Sequence, residues 1–187
     1  MQSKKAQTTV SSEGVPIHLR WYMNISEEAR VAYLLILTEK IVDQVTEGYN
    51  EARKTIDMCW EWVEEKKYDG VDLYTVFDNE DDGGVSMFYE EAMDAEDHHQ
   101  ESIWLCIIYA LEYTIWQAYK SAFGHENYVP QPIEIVDDDM IDAFTKEMAK
   151  GNGYQKSWVE HLKRDFLANY PANSNKRITR AKVIGLI

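Results

Sequence analysis

Residues 78–90 carry the side chains of this chain best suited to bind a metal ion. An EF-hand loop needs oxygen ligands at positions 1, 3, 5, 7, 9 and 12 and a glycine at position 6. A count from Asp78 puts Gly83 at position 6 but Tyr89 at position 12, where a carboxylate is required. The register one residue later brings Glu90 to position 12 but puts Gly83 at position 5, where an oxygen ligand is needed. We therefore favour an exposed acidic loop that caps a helix, with a metal-binding helical protein or enzyme as the alternative.

Two further carboxylates suggest chemistry by their spacing or surroundings. Glu96 and His99 form the Glu-x-x-His pair of di-iron carboxylate bundles, but such a site needs a second pair and two more carboxylates, and the sequence has no second pair. Glu112 stands among isoleucines and leucines, where burial would raise the pKa of its carboxyl and suit it to act as an acid. We favour a solvated helix turn for the pair. For Glu112 we favour a hydrogen bond from a tyrosine or tryptophan, or exposure at the surface.

Motifs for catalysis are missing from the sequence. It contains no Gly-x-Ser-x-Gly, no P-loop and no His-Glu-x-x-His pattern. Cys59 and Cys106 stand beside apolar residues, which is typical of reduced, buried thiols that do no chemistry. We therefore predict a protein that is not an enzyme and that needs neither a cofactor nor a metal.

The acidic residues of the chain are concentrated in one stretch. Between Lys67 and Lys120 there are thirteen Asp or Glu residues and no Lys or Arg. The net charge of -14 disfavours nucleic acid and anionic membranes as partners, since both bind through Lys and Arg. An acidic segment without cations instead attracts a basic protein.

Trp62 and Tyr119 are expected to be partly exposed as interface anchors. The predicted contact residues are nine acids and one tryptophan: Asp78, Glu80, Asp81, Asp82, Glu90, Glu91, Asp94, Glu96, Asp97 and Trp62.

Apolar residues at helical spacing predict an all-α fold. We expect a single-domain multi-helix bundle around a central apolar helix at about residues 101–123. Ser26 is a good N-cap for the first helix, whereas two prolines predict an extended segment at 128–132. The helices are expected at about residues 26–45, 49–68, 71–77, 85–96, 101–123, 137–148 and 154–169.

The bundle is expected to span residues 23–171. Residues 1–22 are polar and aperiodic, which predicts a loose N-terminal arm, and residues 172–187 carry four cations and no acid, which predicts a basic, flexible tail. The most apolar segment, residues 103–119, is interrupted by polar residues and is too short to cross a bilayer. The oligomeric state is left open by the sequence, and a scaffold in a homo-oligomer stays an alternative function.

Five groups of residues have a distinctive texture: Cys59-Trp60-Glu61-Trp62; Asp72-Leu73-Tyr74 with Asp78-Asn79-Glu80-Asp81-Asp82; Trp104-x-Cys106-Ile107-Ile108-Tyr109-Ala110; Tyr113-Thr114-x-Trp116-Gln117-Ala118-Tyr119; and Tyr128-x-Pro130-Gln131-x-Ile133-Glu134. Over about residues 26–171, the chain resembles a family of bacterial immunity proteins from polymorphic toxin systems, the all-helical group numbered six. The resemblance implies a non-enzymatic protein that binds and neutralises a cognate toxin in the cytoplasm. It identifies neither the toxin nor the contact residues.

Overall fold

The computed structural model describes residues 20–79, 83–123 and 129–187, and in this part of the chain the fold is all-α. Three short 3-10 turns lie at Trp21–Asn24, Val42–Gln44 and Ile184–Leu186. The α-helices of the described residues are α1 (Glu27–Glu39), α2 (Tyr49–Glu65), α3 (Gly70–Phe77), α4 (Val85–Asp94), α5 (His98–Phe123), α6 (Gln131–Glu134), α7 (Asp139–Met148), α8 (Lys156–Asn169) and α9 (Arg180–Val183).

The long helix α5 is the centre of the bundle, as predicted. Helices α1, α2, α3, α4 and α7 all pack against it, and its residues Ile107, Leu111 and Ile115 are completely buried. Helix α1 lies deep as well, because every residue from Ala29 to Thr38 is buried. A helix that is apolar on all sides is stable only when neighbours cover it all round.

Side-chain caps fix where several helices begin. The Ser26 hydroxyl accepts a hydrogen bond from the Ala29 amide at 3.3 Å, which confirms the predicted N-cap of α1. Asp69 and Asp72 form a capping box at the start of α3. One carboxylate oxygen of Asp97 accepts from the amides of the second and third residues of α5, both at 3.1 Å. This cap starts the central helix three residues earlier than the sequence pattern predicted.

The proline-rich segment differs from the prediction. Residues 128–132 were expected to be extended, but α6 begins at Gln131 and holds Pro132 in its first turn. Proline has no amide hydrogen, and the first turn of a helix needs none, so a proline fits there without loss of a hydrogen bond. The prediction was wrong for Gln131 and Pro132, and residue 128 lies outside the described residues.

The described end of the N-terminal arm is packed. Tyr22 is 2 % exposed and donates a hydrogen bond to Asp142 at 2.9 Å, while the buried Arg20 pairs with Asp139 at 2.5 Å. Nearby, the Arg30 guanidinium binds Asp138 at 3.0 Å and so ties α1 to the start of α7. The expected loose arm is therefore wrong for residues 20–22, and residues 1–19 lie outside the described part.

The basic tail is also docked. Ile178 and Val183 are buried, and the Arg180 guanidinium lies 2.7 Å from both Glu39 of α1 and Asp57 of α2. Buried apolar side chains and paired charges hold this segment on the bundle, so the expectation of a flexible tail is wrong for these residues. The first and last parts of the bundle meet in an antiparallel bridge between Ile25 and Pro171.

Candidate functional site

An open groove of about 780 Å³ lies between α3, α4 and α5. Leu105, Ile108 and Tyr109 of α5 contribute to its lining, together with Phe77 at the end of α3. We call it the α3–α4–α5 groove. Its apolar lining is what a protein surface needs to bury part of a partner.

Helix α4 provides the groove with two exposed methionines. It docks on α5 through Val85 and through Phe88, whose ring stacks on Trp104 with centroids 5.4 Å apart. Met87 and Met93 are left 37 % and 43 % exposed at the groove. Methionine is flexible and polarizable, and exposed methionines are common on surfaces that bind partner proteins.

Asp78 is held in place between α3 and α4. One of its carboxylate oxygens accepts from the Tyr74 hydroxyl at 2.7 Å, and the other accepts from the Ser86 hydroxyl at 3.2 Å. Glu90 is exposed on α4 and also lines the groove. These two predicted contact residues are therefore brought together by the fold at one apolar surface.

Glu112 supplies a third carboxylate, from α5. Burial raises the pKa of its carboxyl to about 7. Among the described residues, no side chain donates a hydrogen bond to it or forms an ion pair with it, so the expected tyrosine or tryptophan donor is not found there. The carboxylate instead contributes to the lining of the groove.

The groove has a negative electrostatic environment. Of the described residues that line it, none is Lys, Arg or His. Burial raises the pKa of Tyr109, and the nearby charges of Glu147 and Glu112 raise it further. Burial likewise raises the pKa of Tyr89, with added contributions from Glu101 and Glu147. Both phenols therefore lie near carboxylates, one of which, Glu147, is paired with Lys150 at 2.5 Å.

The remaining predicted acids lie elsewhere. Glu91 and Asp97 line a separate depression of about 210 Å³ on the other side of α4, and Asp97 also caps α5. Asp94 and Glu96 are exposed at the end of α4, where Glu96 adopts the left-handed backbone conformation with φ of 54°. The predicted residues Glu80, Asp81 and Asp82 lie outside the described residues.

Trp62 is buried and is not an exposed interface anchor. It is 2 % exposed because the Lys66 ammonium covers its ring at 3.3 Å and is itself held by Glu28 at 2.9 Å. Tyr119 is 5 % exposed and packs so closely on Gly70 that a β-carbon there would overlap the ring. The predicted exposure of both aromatic residues is therefore wrong, since Lys66 covers Trp62 and Tyr119 packs against Gly70.

Most of the described residues that line the groove were not among the predicted contacts, and Glu112, Met87 and Met93 are three of those missed. The sequence signal for the methionines was their position beside Glu90 on an amphipathic helix, with acids and apolar residues interleaved. Glu112 was recognised as unusual, but only the packing of three helices shows that it faces the same groove as Asp78.

The described residues contain no group of three or more metal-ligating side chains. Both oxygens of Asp78 already accept hydrogen bonds from hydroxyls. In the Glu-x-x-His segment, the His98 ring lies 3.1 Å from Glu101, in an exposed turn.

The two buried thiols, Cys59 and Cys106, have pKa values raised by burial to about 12, so neither is a reactive thiolate near neutral pH. Within the described ranges, no helix is both long and apolar enough to span a bilayer.

By its fold, then, the chain is an all-α bundle with an acid-lined apolar groove on its surface. A family model described as Immunity protein Imm6 matches residues 29–150, and the chain belongs to this family. The matched region runs from α1 to α7 and contains every described residue of the groove. Immunity proteins of this kind are generally not enzymes. No curated protein and no solved structure gives a significant match to the chain.

Proposed function

We propose that this protein neutralises a cognate toxin by binding it through the α3–α4–α5 groove and the neighbouring acids of α4. The observation that carries the proposal is a set of carboxylates, from Asp78, Glu90 and Glu112, that have no cationic partner among the described residues and that line an apolar groove. Membership of the immunity family supplies the kind of partner.

The charge of the groove suits a basic toxin. Toxins that attack nucleic acids need Lys and Arg to bind phosphates, so they present a cationic surface. An acidic surface on the immunity protein would speed their capture, because opposite charges steer two proteins together. Rapid capture matters for a protein that must stop an enzyme in the cytoplasm of the cell that it protects.

The shape of the groove favours one of two mechanisms. An inhibitor can insert carboxylates into the toxin active site, or it can clamp another part of the toxin from the side. A concave apolar surface receives a protruding element and cannot itself enter a cleft. We therefore favour the clamp, in which a helix or loop of the toxin lies in the groove.

Co-expression with the toxin domain encoded beside the gene tests the proposal. We expect the two proteins to purify together and the cells to survive, whereas cells with the toxin domain alone should stop growing. Failure of the wild-type protein to bind this toxin domain or to protect the cells would contradict the proposed function.

Charge reversal tests the surface. The double variant Glu90→Lys and Asp94→Lys should weaken the complex at least about tenfold, because it places two cations beside a basic partner. The matched control is Asp43→Lys with Glu160→Lys, which changes the net charge equally at two exposed residues outside the groove. Equal weakening by both double variants would show that only net charge matters and that the groove is the wrong surface.

A further inference from the structure

Glu112 is the groove residue whose charge is hardest to explain by contacts within the folded protein. It lies on the central helix α5, with Asp78 of α3 and Glu90 of α4 lining the same space. Its surroundings include Ile108 and Leu105, and no described residue donates a hydrogen bond to its carboxylate. A half-buried carboxylate in such a place is destabilised relative to bulk water, because its apolar surroundings remove part of its hydration and no described side chain replaces it.

A cation from a binding partner would stabilise the charged form of the Glu112 carboxylate. The long side chains of Lys and Arg can lie along an apolar surface and bring their charged group to a carboxylate at its edge. None of the described cations lines the groove, and some are paired elsewhere: Arg180 pairs with Glu39 and Asp57, and Lys120 pairs with Glu27 at 2.6 Å.

Building on the function proposed above, we propose that Glu112 anchors the toxin by forming an ion pair with one of its Lys or Arg side chains. The aliphatic part of that side chain lies over Ile108 and Leu105. The rest of the bound segment is amphipathic: its apolar face packs on Met87 and Met93, and further cations meet the outer carboxylates.

Charge complementarity selects this occupant over a second copy of the chain. Each copy has a net charge of -14, so two grooves brought face to face would oppose acids with acids. The basic tail of the chain is not available either, because Ile178 and Val183 are buried and Arg180 is paired on another side of the bundle. A cationic partner meets neither obstacle.

The ion pair makes binding depend on pH. The other titratable groups that line the groove are Tyr74 on α3, Asp78 directly after α3, Tyr89 and Glu90 on α4, and Tyr109 on α5, while the described part of α6 contributes Pro132. Burial raises the pKa of the Glu112 carboxyl to about 7, so near pH 6 most molecules must lose a proton before they bind the cation. Affinity should therefore rise up to about tenfold per pH unit below 7 and level off above about pH 8.

Titration calorimetry with the purified toxin domain tests the proposal. Wild type should bind up to about tenfold more tightly near pH 8 than near pH 6. Glu112→Gln should bind at least about tenfold more weakly than wild type near pH 8 and should lose most of the pH dependence. Glu160→Gln, which also removes one carboxylate but lies outside the groove, should bind as wild type does at every pH. Titrating groups of the toxin affect all three proteins equally and cancel in the comparison.

The outcomes separate the two proposals. If the complex forms but Glu112→Gln binds with unchanged affinity and pH dependence, the assignment of Glu112 is wrong and the immunity function stands. If wild type does not bind the toxin domain at all, the function itself is wrong. Circular dichroism of each variant excludes misfolding as the reason for weak binding.

The apolar half of the proposal has its own test. Met93→Gln should weaken the complex several-fold, because it places a polar amide against the apolar face of the partner. Leu167→Gln on α8, where the leucine is 36 % exposed against 43 % for Met93, is the matched control and should leave the affinity unchanged. Equal affinities for Met93→Gln and wild type would show that the partner does not pack on this part of α4.

Discussion

Two glutamates of this protein show that burial alone does not decide the pKa of a carboxyl. Burial by itself would raise the pKa of Glu39, but hydrogen bonds and charge from Arg53, together with Arg180 and the Trp60 indole, lower it overall. Glu112 has no such donors among the described residues, and its pKa rises to about 7. The first carboxylate is built into the fold, and the second is left open to an outside partner.

Removal of the Glu112 charge should stabilise the free protein. The folded state holds this proton more tightly than the unfolded chain, where the pKa is about 4.5, so wild type is destabilised as the pH rises from 4.5 to 7. The penalty is complete above about pH 8 and amounts to at most roughly 3 to 4 kcal/mol, at about 1.36 kcal/mol per pKa unit. Glu112→Gln should therefore be more stable than wild type near pH 8 and nearly equal to it near pH 4.

Urea unfolding at the two pH values measures this difference. A carboxylate that served only the fold would destabilise the protein when removed, so a loss of stability near pH 8 would contradict our description of Glu112. The expected combination, in which stability rises while toxin binding falls, is typical of a residue kept for recognition.

The sequence predicted some site residues and not others, for identifiable reasons. Asp78 and Glu90 were found because acids without neighbouring cations are visible in the composition. The burial of Trp62 was not predictable, because Lys66 reaches its ring only after the left-handed backbone turn at the end of α2. Such a turn at a lysine has no sequence signature, since glycine is the residue that usually adopts it.

At the level of elements, the groove depends on two short helices, α3 and α4. Neither is long enough to be stable alone, and both owe their position to packing on α5. Caps and apolar spacing in the sequence predicted these two helices. The groove between them depends on the angles at which they pack on α5, and the sequence does not show those angles. For the same reason the docking of the tail was missed: a short basic segment gives no periodic signal, and its contacts lie more than a hundred residues away.

Two arginines of the tail should differ in their effect on stability. Arg180 contacts Glu39, whose side chain is 8 % exposed, so Arg180→Ala should lower the free energy of unfolding by about 2 kcal/mol. Arg177 pairs with Glu65 where both side chains are 60 % exposed, so Arg177→Ala should cost about 0.5 kcal/mol or less. Thermal and urea unfolding of both variants check this prediction. Equal effects would mean that the tail is not docked through Arg180.

At the scale of the whole molecule, the ion pairs of the described Lys and Arg side chains lie away from the groove. In the described part of the chain, cations, including those of the tail, form ion pairs with acids on α1, on α2 and at the start of α7, and none of them lies in the groove lining. Pairing removes part of the acidic charge from those surfaces. The acids that line the groove have no such cationic partner among the described residues, so the groove differs in this respect from the surfaces where ion pairs form.

This asymmetry should make association depend strongly on salt. Between about 0.05 M and 0.5 M NaCl the Debye length falls roughly threefold, so steering of a basic toxin weakens. The association rate constant should fall about tenfold or more, while the dissociation rate constant changes less, because the apolar contacts are insensitive to screening. Stopped-flow mixing at several salt concentrations measures both constants. A salt-independent association rate would contradict electrostatic capture.

During synthesis, Ile25 leaves the ribosome long before Pro171, its partner in the antiparallel bridge. At roughly 5–20 residues per second, α1 waits about 7–30 s until Pro171 has also been synthesised. Until then its apolar residues are open to chaperones and to neighbouring nascent chains, and the bundle is not closed. Under the function proposed above, molecules finished beforehand would protect a cell under attack, so that survival would depend on a standing pool of the protein and not on a burst of new translation.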